Sequence, residues 1–210
     1  MKTLILDFIG VVADINYKKM LSLMSPKQKF SALRIFASRK KYPKIDFAFD
    51  EYQKGNIDKF ELEELVKKDL PNSAYVIPKI LFYLQNNIIV NQNVLTLAEK
   101  LKEKNIQLLL MSNSTPETEY VMDENCLDEI FDGMILSTEL GTIKPEPKIY
   151  DYAIQKFKLD TTKTLMIDDT QKNLTGANEF GISTIRCKNS KETCEVLKSY
   201  LHFLDVTHYI

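Results

Sequence analysis

The chain has 210 residues, of which 44% are hydrophobic and 27% are charged, and its formal net charge is −1. This composition is typical of a globular protein, and the balanced charge argues against nucleic acid or an anionic membrane surface as a partner. The sequence shows no secretory leader and no apolar run long enough to span a membrane, and its three cysteines are irregularly spaced. We therefore expect a cytoplasmic protein with a sizeable core and reduced cysteines.

Short apolar segments predict the strands of a parallel sheet. Residues 3–7 (TLILD), 106–114 (IQLLLMSNS) and 164–169 (TLMIDD) are too short and too continuously apolar to be surface helices. Such runs are typical of strands that are buried on both faces. Two further segments, 133–137 (GMILS) and 183–187 (STIRC), are candidates for additional strands of the same sheet.

Segments with helical periodicity alternate with these strands. Residues 93–105 and 145–159 each precede a predicted strand, and residues 170–181 end on a glycine, which favours a helix C-terminus. Alternating strands and helices predict an open α/β sheet, in which ligands bind beyond the carboxyl ends of the strands.

Residues 16–88 interrupt this alternation. Helical patterns follow one another here without a convincing strand, and residues 58–70 show the clearest one, with the spacing of a capping box at its start. We therefore predict an α/β core formed by residues 1–15 and 89–210. Residues 16–88 are predicted to be a helical domain inserted above the carboxyl end of the first strand.

Polar side chains stand at the ends of three predicted strands. Asp7 ends the first, Ser112 and Asn113 end the second, and Asp168 and Asp169 end the third. Because parallel strands bring their carboxyl ends to one edge of the sheet, we expect these residues to lie close together. Carboxylates are suited to Mg²⁺, whereas a hydroxyl and a backbone N–H are suited to phosphate oxygens.

Lys144, just before the helix predicted at 145–159, adds a positive charge to this set. Three neighbouring acids would raise one another's pKa, and a divalent cation together with the lysine would relieve their repulsion. The whole set is suited to phosphoryl transfer, in which Asp7 attacks phosphorus while the cations and the hydroxyl stabilise the transferring oxygens.

Four segments carry a resemblance to a known family, because their order and spacing match its motifs. They are ILDFIGVV, LLLMSNS, STELGTIKPEPKIY and LMIDDTQKNLTGANEFGI. The chain resembles the haloacid dehalogenase-like (HAD) hydrolases, in the subclass with a helical cap inserted after the first motif. The resemblance implies a Rossmann-like parallel sheet flanked by helices, an inserted α-helical cap domain, and Mg²⁺ as the cofactor.

The resemblance also implies roles at a metal site. Asp7 is expected to be both the nucleophile and a metal ligand, with Asp169 and the backbone carbonyl of Ile9 as further ligands. Asp168 stands where the family often has glycine, so its expected contribution is a supporting one. Asn173 replaces a frequent second acid and is expected to orient the ligands or metal-bound water.

Three further residues are expected, by the same resemblance, to hold the substrate. Ser112 and Asn113 are expected to bind the phosphoryl group, and Lys144 is expected to neutralise its charge during catalysis. The implied partner is a small phosphorylated metabolite. The sequence carries no motif that identifies the metabolite, and it leaves the oligomeric state open.

Ile9 stands where phosphatases of this family usually have an aspartate that protonates the leaving group and later activates water. Isoleucine cannot transfer a proton, so three interpretations stay open. We favour a Mg²⁺-dependent phosphatase with an aspartyl-phosphate intermediate. The alternatives are a carbon–halogen hydrolase of the 2-haloacid dehalogenase type, and a non-catalytic phosphate-binding or regulatory protein. The pair Asp168 and Asp169 argues against the dehalogenase, because that chemistry requires no metal.

Overall fold

The structure is a computed structural model that describes residues 1–39 and 41–207. The described residues form seven strands: β1 (Thr3–Leu6), β2 (Ala13–Ile15), β3 (Ile88–Val90), β4 (Gln107–Ser112), β5 (Gly133–Leu136), β6 (Thr164–Asp168) and β7 (Ser183–Arg186). They also form twelve α-helices: α1 (Tyr17–Ser22), α2 (Pro26–Ser38), α3 (Pro43–Gln53), α4 (Lys59–Asp69), α5 (Ile77–Gln85), α6 (Gln92–Glu103), α7 (Pro116–Glu124), α8 (Leu127–Ile130), α9 (Ser137–Leu140), α10 (Pro147–Phe157), α11 (Gln171–Glu179) and α12 (Ser190–Thr207). Two short 3-10 helices cover Ala74–Val76 and Thr161–Lys163.

Five strands form one parallel sheet in the order β5–β4–β1–β6–β7. In its centre, Thr3 of β1 is level with Gln107 of β4 on one side and Thr164 of β6 on the other. The chain fills the sheet outwards from β1 to β5 and then returns to the opposite side of β1. The carboxyl ends of β1, β4 and β6 therefore border the crevice in which such sheets bind ligands.

Side chains of the central strand cover both faces of the sheet alternately, as a period of two requires. Leu4 and Leu6 belong to a hydrophobic cluster with residues of α6 and α12, whereas Ile5 belongs to a second cluster with residues of α10 and α11. All three side chains are completely buried. The result is a sheet between two layers of helices, which confirms the predicted fold class.

The described residues between β2 and β3, 16–39 and 41–87, form α1 to α5 and no strand. Their buried side chains make a hydrophobic cluster of their own, which includes Ile35 and Leu62. The capping box at the start of α4 is present: Asp58 accepts from the backbone N–H of Glu61, and Glu61 accepts from that of Asp58.

β2 and β3 form a two-stranded antiparallel ribbon that the sequence did not predict. Ile15 pairs with Ile88, so the predicted boundary between residues 88 and 89 falls inside β3. Strands of three residues are too short to show a periodic pattern, which explains the omission. Among the residues that the structure describes, no helix is both long enough and apolar enough to cross a membrane.

Candidate active site

The carboxyl ends of the central strands bring together residues that are far apart in the sequence. Asp7 directly follows β1, and Asp168 is the last residue of β6. The ammonium group of Lys144 lies between them, with Nζ 2.7 Å from Asp7 Oδ1 and 2.8 Å from Asp168 Oδ2. Ser112, the last residue of β4, lines the same pocket.

Lys144 has no hydrogen-bonding capacity left over. Its Nζ also donates to the carbonyl of Met111 at 2.7 Å, so its three N–H groups have three oxygen acceptors. The side chain is only 1% exposed. A buried ammonium group with two carboxylate partners and a carbonyl partner is held in one place, and it fixes the separation of the two carboxylates.

Asn113 fixes the backbone beside this lysine. Its side-chain Oδ1 accepts from the backbone N–H of Lys144 at 2.7 Å, and its Nδ2 donates to the backbone carbonyl of Lys144 at 2.9 Å. This two-point contact joins the end of β4 to the loop that carries the lysine. The sequence suggested phosphate binding for Asn113 and missed this positioning contact.

Three carboxylates form a potential metal site. Asp7, Asp168 and Asp169 each place one oxygen within 4.8 Å of the others. Asp7 and Asp169 line the pocket, whereas the oxygens of Asp168 are occupied by other donors. Asp168 accepts from Lys144, from the backbone N–H of Thr170 at 2.8 Å, and from Asn173 Nδ2 at 3.1 Å.

Asn173 adds an acceptor to the cluster. Its Nδ2 faces Asp168, but its Oδ1 is buried and has no hydrogen-bond partner among the described residues. The hydroxyl of Tyr150 donates to the backbone carbonyl of Asn173 at 2.7 Å and holds this turn of α11 in place. The side-chain Oδ1 stays unpaired, and a buried amide oxygen without a partner is costly unless a donor or a cation contacts it. Asn173 therefore favours a cation, or the water bound to one, as an occupant of this site.

The charges of the cluster also favour a cation. Three carboxylates face one buried ammonium group, which leaves an excess of negative charge. Burial raises the pKa of Asp7 to about 7; Lys144 opposes this rise and Asp168 adds to it. Burial acts to lower the pKa of Lys144, but the carboxylates of Asp7 and Asp168 outweigh it and raise this pKa.

Gly10 allows the loop after β1 to approach Asp169. Its φ of +86° lies in a region that residues with a side chain rarely adopt. A Cβ atom at this position would lie 2.9 Å from Cγ of Asp169, which is too close. The neighbouring Ile9 is partly buried against the core, and it also lines the pocket.

The pocket above these residues has a volume of about 340 Å³ and has walls from both parts of the molecule. Asp7, Lys144 and Asp169 belong to the sheet edge, whereas Arg39 and Asp50 come from the helices between β2 and β3. Sequence reasoning missed Arg39 and Asp50, because only the folded arrangement of the helical segment brings them to the strand ends.

Arg39 is held in position by two neighbours on α3. Its Nε and a terminal nitrogen lie 2.8 Å and 2.7 Å from Asp46 Oδ1, and its guanidinium lies 4.9 Å from the ring centre of Phe49. Burial raises the pKa of Asp50, and the charge of Asp46 adds to the rise. The wall of the pocket that faces the sheet edge therefore carries both a fixed cation and a carboxyl group.

Polar contacts seat the helical segment on the sheet edge. The hydroxyl of Tyr52 lies 2.9 and 2.8 Å from the two carboxylate oxygens of Glu117 on α7 and donates its one proton to this carboxylate, and both residues are buried. Lys54 forms an ion pair of 2.8 Å with Glu146, two residues after Lys144. The contacts at the end of α3 thus reach the loop that carries the buried lysine.

Comparison with known proteins identifies relatives of several activities. A D-ribitol-5-phosphate phosphatase from Bacteroides thetaiotaomicron is 24% identical over 204 residues, which cover 91% of this chain and 94% of the relative. An (S)-2-haloacid dehalogenase 4A from Burkholderia cepacia is 27% identical over 89 residues, which cover 42% of this chain and 38% of the relative.

Solved structures of HAD enzymes share the fold. A predicted HAD-like family hydrolase from Porphyromonas gingivalis superimposes with a TM-score of 0.73 at 18% identity, covering 96% of this chain and 98% of that one. A HAD family enzyme from Bacteroides thetaiotaomicron, in complex with magnesium and inorganic phosphate, gives a TM-score of 0.66 at 22% identity, with 89% and 93% covered. The family model for haloacid dehalogenase-like hydrolases matches residues 1–181. The chain therefore belongs to the haloacid dehalogenase-like hydrolases.

Proposed function

We propose that this hydrolase is a Mg²⁺-dependent phosphatase that acts on a small phosphomonoester through an aspartyl-phosphate on Asp7. The observation that carries the proposal is the position of Asp7, whose carboxylate lines the pocket while one of its oxygens binds a buried ammonium group. A relative named as a phosphatase over nearly the full length supports it, as does a structural neighbour that holds magnesium and phosphate.

The donor set fits Mg²⁺, which prefers oxygen ligands from one or two carboxylates. In this proposal Asp7, Asp169 and the backbone carbonyl of Ile9 hold the ion. Asp168 and Asn173 support the site through their mutual hydrogen bonds and the buried Asn173 Oδ1. When bound, the ion would supply positive charge that stabilises the oxygens of the transferring phosphoryl group.

The reaction has two steps at phosphorus. In the first, a carboxylate oxygen of Asp7 forms a bond to phosphorus, the bond to the ester oxygen breaks, and the alcohol leaves with that electron pair and takes up a proton. In the second, water attacks the phosphorus and gives up a proton to solvent, the bond to Asp7 breaks with its electron pair returning to the carboxylate, and inorganic phosphate leaves. Lys144 stays beside the reacting carboxylate, and Ser112 with the backbone of Asn113 binds the phosphoryl oxygens.

The helices between β2 and β3 act, in this proposal, as a cap domain over the reaction centre. The pocket receives Arg39, Asp50 and Gln53 from this segment, so the segment selects the substrate. The division into a core of residues 1–15 and 89–210 and a cap of residues 16–88 belongs to the proposal, as does the cytoplasmic location expected from the sequence.

Dehalogenation is the second candidate, and Ile9 is the observation that favours it. Displacement of halide from carbon by Asp7 needs no acid for the leaving group, and several (S)-2-haloacid dehalogenases are relatives over part of the chain. The carboxylate cluster favours the phosphatase, because Asp169 and the unpaired Oδ1 of Asn173 would have no cation to hold in a metal-free reaction.

The test is an assay of p-nitrophenyl phosphate and a panel of phosphorylated metabolites with and without Mg²⁺, with 2-chloropropionate assayed alongside. We expect phosphate release that requires Mg²⁺ and is lost in Asp7→Asn, because an amide is a poor nucleophile. Asp151→Asn, which changes an exposed aspartate on α10, is the matched control. Activity that persists in a folded Asp7→Asn protein would exclude the covalent route, and chloride release without Mg²⁺ would favour the dehalogenase.

A further inference from the structure

A second cavity, which we call the apolar groove, lies between α1, α2 and α5. Its volume is about 540 Å³. Buried side chains such as Met20 and Met24 form its floor, whereas Leu33 and Phe36, which are 67% and 49% exposed, form its outer wall. Large apolar side chains that are gathered around a cavity and left in contact with water are typical of binding surfaces.

The apolar groove shares part of its lining with the catalytic pocket. Ile15, at the end of β2, and Leu84, on α5, line both cavities. At the end of α2, Ala37 lines the groove, and Arg39, two residues later, lines the catalytic pocket. The groove and the pocket are therefore neighbours, and together we call them the cleft.

The two parts of this cleft have opposite chemistry. The catalytic pocket is lined by charged groups of both signs: the cations Arg39, Lys144 and Lys172, and the carboxyl groups of Asp7, Asp50 and Asp169. In the proposed function this charged pocket holds a phosphoryl group together with Mg²⁺. Among the described residues that line the groove, Lys29 alone is charged, and the others are apolar apart from the phenol group of Tyr17. A ligand that fills the whole cleft must therefore have an anionic head and an apolar body.

We infer that the apolar groove binds the aliphatic part of the substrate, and that the enzyme acts on phosphomonoesters of long-chain aliphatic alcohols. The inference rests on the proposed function for the phosphoryl end of the substrate. The lining that the groove shares with the catalytic pocket favours a substrate over a protein partner, because Ile15 and Leu84 would contact both the phosphoryl end and the aliphatic end of one bound molecule.

The experiment measures binding without turnover. Alkyl phosphonates with two to ten carbons, whose carbon–phosphorus bond is not hydrolysed, are titrated into the protein with Mg²⁺ by calorimetry, below their micelle-forming concentrations. Burial of one methylene changes an equilibrium by up to about fourfold. We expect the dissociation constant to fall by up to this factor with each added methylene until the groove is full. An affinity that is independent of chain length would overturn the inference.

Variants of α2 locate the chain. Phe36→Asn and Leu33→Asn are expected to flatten the dependence on chain length, because each places an amide on the groove wall. Phe30→Asn is the matched control: Phe30 is 69% exposed on the same helix and does not line the groove. The ratio of the ethyl to the octyl dissociation constant is compared within each variant, so a general loss of affinity cancels. An unchanged ratio in Phe36→Asn would overturn the inference.

Two further results separate this inference from its alternatives. If size-exclusion chromatography shows that Phe36→Asn disrupts a dimer while affinity stays independent of chain length, the groove is an interface between copies and the inference is wrong. If chain-length dependence is found but no phosphomonoester is hydrolysed, the groove binds aliphatic chains and the proposed phosphatase activity is wrong. If ethyl and octyl phosphate are hydrolysed equally and the phosphonate affinities do not depend on chain length, the phosphatase activity is confirmed and the inference about the groove is wrong.

Discussion

At the scale of single residues, Lys144 decides how the site is arranged before any ligand binds. Its ammonium group holds Asp7 and Asp168 on either side, and all three side chains are buried. Removing charges from water is costly unless they are paired and hydrogen-bonded, as they are here. The carboxylate that attacks phosphorus in the proposed reaction is therefore already positioned, and little rearrangement is needed.

The raised pKa of Asp7 makes metal binding dependent on pH. Because burial brings this pKa to about 7, the metal-free carboxyl group is mostly protonated below that pH. A metal ion needs the carboxylate, so its binding releases the proton. We expect the apparent Mg²⁺ affinity, measured by calorimetry, to rise by about tenfold per pH unit up to about pH 7 and then to level off.

In the metal-free protein the free energy of unfolding should fall as pH rises, whereas the Mg²⁺ affinity should rise. Between the unfolded pKa of Asp7, near 3.8, and its folded pKa of about 7, the folded state binds more protons than the unfolded chain. Asp7 therefore lowers the free energy of unfolding as pH rises through this range. In the calorimetric experiment, a Mg²⁺ affinity that stays constant as pH rises to about 7 would contradict the assignment of Asp7 as a titrating ligand.

Ile9 should make turnover sensitive to the leaving group. Without an acid at this position, aryl phosphates are expected to react much faster than alkyl phosphates, because their oxygens leave without protonation. Ile9→Asp supplies an acid and should raise alkyl phosphate turnover by about tenfold, which equals about 1.4 kcal/mol of barrier.

Ile9→Asn is the matched control for this change, since it adds a polar group of similar size that cannot transfer a proton at neutral pH. Ile9 packs partly against the core, so thermal melting must show that both variants stay folded. If Ile9→Asp shows the same leaving-group dependence as the wild type, another group already supplies the proton.

The residues of the sheet edge could be predicted because each one follows a buried strand. Asp7, Ser112 and Asp168 come at the ends of apolar runs, and strand order alone brings such residues together. Arg39 and Asp50 could not be predicted in the same way. Their positions depend on how the helical segment packs on the core, and no local pattern in the sequence encodes that packing.

At the scale of elements, the turn after β1 depends on Gly10. An alanine there would have to adopt a φ of +86° and would also place its Cβ 2.9 Å from the Asp169 carboxyl group. We expect Gly10→Ala to destabilise the fold and to weaken Mg²⁺ binding by at least about tenfold, because Asp169 must move.

Gly141 offers the matched control for this substitution. It also has a positive φ, of +62°, but a Cβ at this position would meet no atom within 4 Å. Gly141→Ala should therefore lose only about 1 kcal/mol of stability and keep its affinity for Mg²⁺. Equal Mg²⁺ affinities of the two folded variants would show that contact with Asp169 is not what requires glycine at position 10.

The central strands of the sheet were recognisable from their uniform burial, which the short strands β2 and β3 lack. β1 and β4 are almost entirely buried and mostly apolar, so their sequences are recognisable without any partner. In β2 and β3 only Ala13 is fully buried, and the other residues are partly or fully exposed. Such strands are stabilised by pairing with each other, which a reading of either segment alone does not reveal.

At the scale of the whole molecule, a buried hydrogen bond helps to hold the helical segment against the core. Burial and the neighbouring Glu117 raise the pKa of Tyr52, so its phenol stays protonated and donates to the carboxylate. Tyr52→Phe would leave the buried carboxylate without this donor. We expect a loss of about 1–3 kcal/mol in the free energy of unfolding, measured with urea.

A double-mutant cycle tests whether the loss comes from this contact. Tyr52→Phe should cost much less in a Glu117→Gln background, since the neutral amide needs the donor less than a carboxylate does. Tyr120→Phe, at a half-exposed tyrosine on α7, is the control and should be nearly neutral. If Tyr52→Phe is as mild as this control, the hydrogen bond contributes nothing to seating the segment.

The ribbon of β2 and β3 has an evolutionary consequence. Because Ile15 pairs with Ile88, the chain leaves the core and returns to it at adjacent points. The entropic cost of closing an insertion grows only slowly with its length. Insertions, deletions and substitutions can thus accumulate between these two points while Asp7, Lys144 and Asp168 keep their places on the sheet. Under the proposed function, substrate choice and reaction chemistry are therefore encoded in separate stretches of the chain, and mutation can alter the first without disturbing the second.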